Sequence, residues 1–153
     1  MPGNKLSPED RLDSVYRAVA LVFLAIGALH TAAAVQQVVT HGTGFFHAAS
    51  LFRQSMLVVT LLLCVLAIWR SVSFTRNCVG CSLMVKDGFV FHSIQKSGLR
   101  AGFLTFIALV FMQEFADGST LPVKFFLNMG LAIITLTFSI SYLISSYADA
   151  GHD

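Results

Sequence analysis

Ala18 to Val39 is a run of 22 residues with no formally charged side chain, and three further stretches of similar character follow it. That feature bounds the fold more tightly than any other. A helix of about 20 apolar residues crosses the roughly 30 Å hydrocarbon core of a bilayer. In water the same segments would need cover on every side. The chain has 153 residues, 56% of them hydrophobic and 12% charged, where soluble domains carry about 25% charged residues. One domain of this length has too little interior to hide four such segments. Its mean hydropathy of +0.74 assigns the excess apolar surface to lipid.

The sequence therefore predicts an all-α membrane protein, a single transmembrane domain with spans at about residues 15–39, 51–74, 99–116 and 122–147. Ser7-Pro8-Glu9-Asp10 reads as a helix start: Ser can cap, Pro suits the first turn, and acids suit the positive end of the dipole. Arg53 and Arg70 bracket the apolar centre of the second span, where long basic side chains can snorkel to either interface. Pro122 is acceptable in the first turn of the fourth. A cleavable leader is the rival reading of the first span, because a basic start runs into an apolar stretch and Ala32-Ala33-Ala34. The preceding segment is long and partly acidic, which opposes cleavage.

Basic residues set the expected orientation. Lys5, Arg11, Arg17, Arg70, Arg76, Lys86, Lys96 and Arg100 fall on the side of the amino terminus and the middle loop, and only Arg53 and Lys124 fall on the other. Cytoplasmic segments collect Lys and Arg. The expectation is an up-down-up-down four-helix bundle with both termini and the loop at about 75–98 in the cytoplasm. Asp117-Gly118-Ser119-Thr120 is turn chemistry, making spans three and four a hairpin. In the middle loop, Leu83-Met84-Val85 and Phe89-Val90-Phe91 flank Lys86-Asp87-Gly88, which suits a short β-hairpin. The competing reading starts the third helix early, near Ser93.

Candidate chemistry falls into three groups. Cys78 and Cys81 form a CxxC; with His92 they could contribute three zinc ligands, or the thiols could cycle as a dithiol. The loop offers no clear fourth ligand, and redox shuttling would want a second cysteine pair where only Cys64 remains, so two ordinary thiols are the stronger reading. No cofactor is predicted beyond bound lipid, with zinc as the alternative. The second group gathers polar residues at the outer half of the spans: Gln36 and Gln37, Arg53 and Gln54, Gln113 and Glu114, Lys124 and Asn128. Ionisable groups inside a span normally face protein or water and pair. Glu114 with Arg53 or Lys124 could line a small hydrated vestibule, but interfacial residues that meet headgroups and hold helices together are favoured. His30 lies about 13 Å below the outer boundary of the first span; no second axial ligand sits at its depth, so a hydrogen-bonded structural histidine is expected rather than haem. Third, Gly98 with Gly102 and Ala28 with Ala32 are small-xxx-small pairs, as is Ser141 with Ser145. Such pairs let helix backbones approach in lipid, within a chain or between copies. The 14 phenylalanines read as packing and lipid-facing surface.

A net charge of +2 without a basic, aromatic-interleaved cluster speaks against nucleic acid. No nucleotide loop, Ser-His-Asp set or paired catalytic carboxylates stand in the sequence.

Asp87-Gly88-Phe89-Val90-Phe91, Ile94 and Leu99-Arg100-Ala101-Gly102 together resemble the Gly-x-x-Phe element and Leu-Arg-x-x-Gly entry of a family of uncharacterised small four-span bacterial membrane proteins. Those proteins are often encoded beside a helix-turn-helix repressor. The likeness covers about sixteen residues and implies a bacterial inner-membrane setting; the family has no established activity to carry over. The functional expectation is a non-enzymatic accessory or regulatory subunit. It would act through helix contacts in a homo-oligomer or larger membrane complex, with the bilayer as its other partner. The alternatives are a small channel or transporter using the cluster around Glu114, and a thiol-dependent redox or metal-binding protein.

Overall fold

The computed structural model describes residues 8–39, 43–77, 89–116 and 120–149. Four helices make up the described chain: α1 (Pro8–Val38), α2 (Gly44–Asn77), α3 (Phe89–Ala116) and α4 (Val123–Asp149). All four are long and apolar enough to cross a membrane, the pattern of a multi-pass membrane protein.

Local chemistry accounts for the helix starts. α1 opens on Pro8, whose missing N–H costs nothing in a first turn. Thr43 caps α2, its Oγ1 accepting from the Phe46 backbone N–H at 3.2 Å, the usual geometry of an N-cap hydroxyl. Pro122 stands just before α4 rather than inside its first turn, and its carbonyl accepts from the Phe125 N–H at 2.8 Å. The middle loop departs from both sequence readings. Phe89-Val90-Phe91, expected as the second arm of a β-hairpin, are the first residues of α3, which begins a full turn before Ser93. Once the following residues are committed to a span, a helix satisfies every backbone group internally, which an isolated strand arm does not. Lys86-Asp87-Gly88 and Asp117 to Ser119 lie outside the described residues.

The helices do not surround a common core. α1 packs along both α2 and α4, and α3 packs along α4, touching α1 only slightly; α2 approaches neither α3 nor α4. The spatial order is therefore α2–α1–α4–α3, an open row with α2 and α3 on its flanks. Arg17 meets Ser146 and His30 meets Asn128 between α1 and α4, Arg53 meets Gln36 and Arg70 meets Ser14 between α1 and α2, and Arg100 meets Ser141 between α3 and α4.

Small side chains make the central α1–α4 contact close. Ala18, Ala20, Ala25, Ala32, Ala34 and Ala132 are buried. A β-carbon on Gly27 would sit 2.5 Å from Leu136 Cγ and 2.9 Å from Thr135 Oγ1, so this is where the two backbones need a glycine. An aromatic run continues the interface: Phe23 meets Phe138 edge-on with centroids 5.6 Å apart, Phe138 stacks toward Tyr142 at 6.5 Å, and Tyr142 lies 6.4 Å from Tyr16. Leu12 and Val15 of α1 and Phe74 of α2 form an apolar cluster, with Tyr16 and Ile94 packed against it. Hydroxyls within the helices bond back to their own turn, including Thr31 to the Gly27 carbonyl, Thr60 to Met56, Thr105 to Ala101 and Ser139 to Thr135. This is how such groups are satisfied where no water is available.

The outward faces are apolar. Only 6% of the most apolar stretch of α2 is buried, against 33% for α1. Leu57, Leu61, Leu62, Val65, Ile68 and Trp69 stand exposed along it. In water this surface would be an aggregation face; in a bilayer it is in contact with its solvent.

Candidate functional site

Asp13 and Arg17 are one turn apart on α1, and Tyr142 and Ser146 one turn apart on α4, so each pair shares a helix face. Packing of α1 on α4 brings the pairs together where α1 begins and α4 ends. Arg17 Nε lies 2.6 Å from Asp13 Oδ2. It also donates to Ser146 Oγ at 2.6 Å, while Nη2 donates to the Ser146 carbonyl at 3.0 Å. Asp13 Oδ1 in turn accepts from the Tyr142 hydroxyl at 3.1 Å and from Ser146 Oγ at 2.9 Å. The guanidinium lies 4.7 Å from the centroid of the Tyr147 ring, within cation–π range. Tyr142 is 1% exposed. The carboxylate thus holds three donors and the guanidinium two acceptors and a ring, so the charges are neutralised inside the protein. A network closed on itself in this way clasps two helices. In the sequence Arg17 counts toward orientation alone, and Asp13, Tyr142 and Ser146 fall in none of the candidate groups. The available signal was a pair of i,i+4 polar couples at opposite chain ends, placed at equal depth by a hairpin topology.

The polar residues at the opposite end do not form one site. Arg53 Nη1 donates to Gln36 Oε1 at 3.0 Å on the exposed α1–α2 side. Asn128 Oδ1 meets His30 Nδ1 at 2.9 Å between α1 and α4, the hydrogen-bonded histidine expected from its depth. Gln113 and Glu114 are exposed on α3 and Lys124 is exposed on α4. Among the described residues, Arg17–Asp13 is the one ion pair, so Glu114 pairs with neither Arg53 nor Lys124. The reason is the row: Arg53 rides on α2 and Glu114 on α3, with α1 and α4 between them. The Gln37 side-chain oxygen is buried without a hydrogen-bond partner among the described residues.

Cys78 and Cys81 lie outside the described residues. His92 is exposed in the first turn of α3, and no group of three metal-ligand side chains occurs among the described residues. Of the small-residue pairs, Ala32 is buried and Ala28 half-buried, so that pair lies along the packed part of α1. Gly98 and Gly102 face outward, and a β-carbon on either would meet nothing within 4 Å. The close approach within this chain is at Gly27 instead.

A groove of about 400 Å³ runs between α3 and α4. Leu104, Leu136, Ile140 and Ile144 line it, with Arg100, Thr137 and Ser141 as its polar members. Arg100 Nη1 donates to Ser141 Oγ at 3.3 Å, and Arg100 makes no ion pair among the described residues.

Comparison of the chain with protein-family models, with curated proteins and with solved structures finds no match in any of the three.

Proposed function

We propose that this chain is a non-enzymatic accessory or regulatory subunit of a bacterial inner membrane, acting through lateral helix contacts in a homo-oligomer or a larger membrane complex. In this reading the helices cross up-down-up-down, with both termini and the middle connection in the cytoplasm. The pairings of Arg17 with Ser146, Arg53 with Gln36 and Arg100 with Ser141, and the eight-to-two division of basic residues, support that orientation.

The open row carries the reading. Among the described helices α2 packs on α1 alone, and a β-carbon on Gly98 or Gly102 of α3 would meet no described atom within 4 Å. Both flanks are therefore free to take another helix, and a glycine pair allows close approach without cost to this chain's own packing. The outer polar residues fit the same picture. Arg53 and Glu114 sit on opposite flanks at similar depth, so within one copy they anchor separate surfaces. A conduction path at that level would need a second copy to complete it.

The test is purification of the full chain in mild detergent, followed by native mass spectrometry and cross-linking in membranes. A defined oligomer or a stoichiometric co-purifying membrane protein is expected. A lone monomer in both detergent and membrane overturns the reading. Flux into proteoliposomes that falls with Glu114→Gln would replace it with the transport alternative.

A further inference from the structure

We infer that the α3–α4 groove is a binding site for an anionic phospholipid, its phosphodiester held by Arg100 and its acyl chain laid along the apolar wall. This inference rests on the membrane reading alone and is independent of whether the chain oligomerises.

Arg100 is the starting point. Its contact Ser141 directly precedes Tyr142 on α4, so Arg100 stands at the inner edge of the Asp13–Arg17 clasp. At that depth a charged side chain is costly unless it finds a counter-charge. The two arginines differ in this respect. Arg17 has Asp13; Arg100 has one neutral hydroxyl at 3.3 Å. Arg100 lines the groove, and a guanidinium has the fork geometry that matches two phosphate oxygens.

A second cation reinforces the first. Lys96 precedes Arg100 by one turn and is also exposed, so the two stand on the same face of α3. Neither makes an ion pair with a described carboxylate. Among the described residues these two cations have no carboxylate partner, which favours a headgroup with net negative charge over a zwitterionic one. Beyond Arg100 the lining turns apolar, from Leu104 on α3 and from Ile140 to Leu136 on α4. A soluble anion would leave that wall uncovered, whereas a lipid fills both halves with one molecule. Basic pockets between spans on the cytoplasmic side are general sites for anionic headgroups, and positive-inside orientation puts this groove there.

The experiment is thermal unfolding of the full chain, delipidated in neutral detergent and titrated with phosphatidylglycerol. Phosphatidylcholine of the same acyl composition and inorganic phosphate serve as the other arms. Phosphatidylglycerol is expected to raise Tm saturably, with little effect from the others. Arg100→Gln should weaken the apparent affinity about tenfold, the loss of one charge-assisted bidentate contact, without lowering Tm in the absence of lipid. Ile140→Trp keeps Arg100 and fills the groove; it should abolish the saturable shift, and it keeps the test decisive if Arg100→Gln does not fold. Equal shifts from both lipids mean annular lipid only and overturn the inference. So does a full shift from phosphate alone. A dimer that Ile140→Trp disrupts while lipid has no effect assigns the groove to a second copy, and likewise overturns it.

Discussion

The Tyr142 hydroxyl donates to Asp13 Oδ1 at 3.1 Å, joining residues 129 positions apart in the chain where α1 begins and α4 ends. Because the same carboxylate also holds Arg17 and Ser146, the contact is one strand of a cooperative knot. Asp13→Asn removes the counter-charge of a part-buried guanidinium and should destabilise the fold by about 1.5–3 kcal/mol. Tyr142→Phe should cost about 1 kcal/mol. Unfolding in mixed micelles measures both, and the double variant should cost less than the two added together. Strict additivity would show that the two side chains are not coupled.

Gly27→Ala tests the tightest α1–α4 approach. The added methyl would fall 2.5 Å from Leu136 Cγ, so either the side chain or the helix must move. A loss of about 1–3 kcal/mol is expected from such overpacking. Leu136→Ala on the same background should restore part of it by vacating the space. The same micelle unfolding measures this, and no rescue would place the strain elsewhere.

The His30–Asn128 pair carries an asymmetry. Replacing Asn128 by Leu alone leaves the imidazole unpaired inside a span, whereas replacing both residues by Leu removes both unmet groups. Single interhelical hydrogen bonds in membranes are worth about 0.6 kcal/mol on average, and stranding a buried partner costs more than the bond itself. The double variant should therefore be as stable as wild type or better, and the Asn128 single the weakest of the set. A His30→Leu/Asn128→Leu protein less stable than either single would contradict this.

Gly98→Ile and Gly102→Ile separate folding from assembly. Neither β-carbon meets another part of the chain, so monomer stability should change by no more than a few tenths of a kcal/mol, aided by the better helix propensity of Ile over Gly. If this face takes a partner helix, cross-linked oligomer or partner yield should fall severalfold. Wild-type assembly in both variants would leave α2 as the flank in use.

Thiol labelling checks the orientation. Cys78 and Cys81 follow α2 directly in sequence, and Cys64 lies within it, half-buried. A membrane-impermeant maleimide should label the pair only when the cytoplasmic face is exposed, as in inverted vesicles. Labelling in intact spheroplasts would reverse the proposed topology.

The depth of each polar residue was legible in the sequence, but its partner was not. His30 could be assigned a hydrogen bond because a lone imidazole in a span needs one; that Asn128 supplies it depends on α4 lying beside α1. Glu114 and Arg53 illustrate the converse. Equal depth suggested a shared vestibule, but depth fixes one coordinate of three, and the row sets them on opposite flanks. Gly98 and Gly102 carry the GxxxG spacing, while Gly27, which has no glycine at that spacing, makes the actual close approach, because rotation about the helix axis decides which face meets a neighbour. The sequence left a β-hairpin and an early start of α3 near Ser93 both open, because Phe89-Val90-Phe91 alone suits a strand as well as a helix; α3 starts at Phe89.

What the sequence by itself determined is the solvent and the element type. Uncharged segments of about 20 residues must sit in lipid, and in lipid a lone segment must be helical to satisfy its own backbone. What only the tertiary structure decided is lateral order. That α1 and α4 form the central pair, locked by Asp13, Arg17, Tyr142 and Ser146, while α2 and α3 keep open outer faces, is set by side-chain shape and hydrogen bonding. Hydrophobicity is nearly equal on every side of these helices and lipid covers any face equally well, so it carries no information about which faces meet.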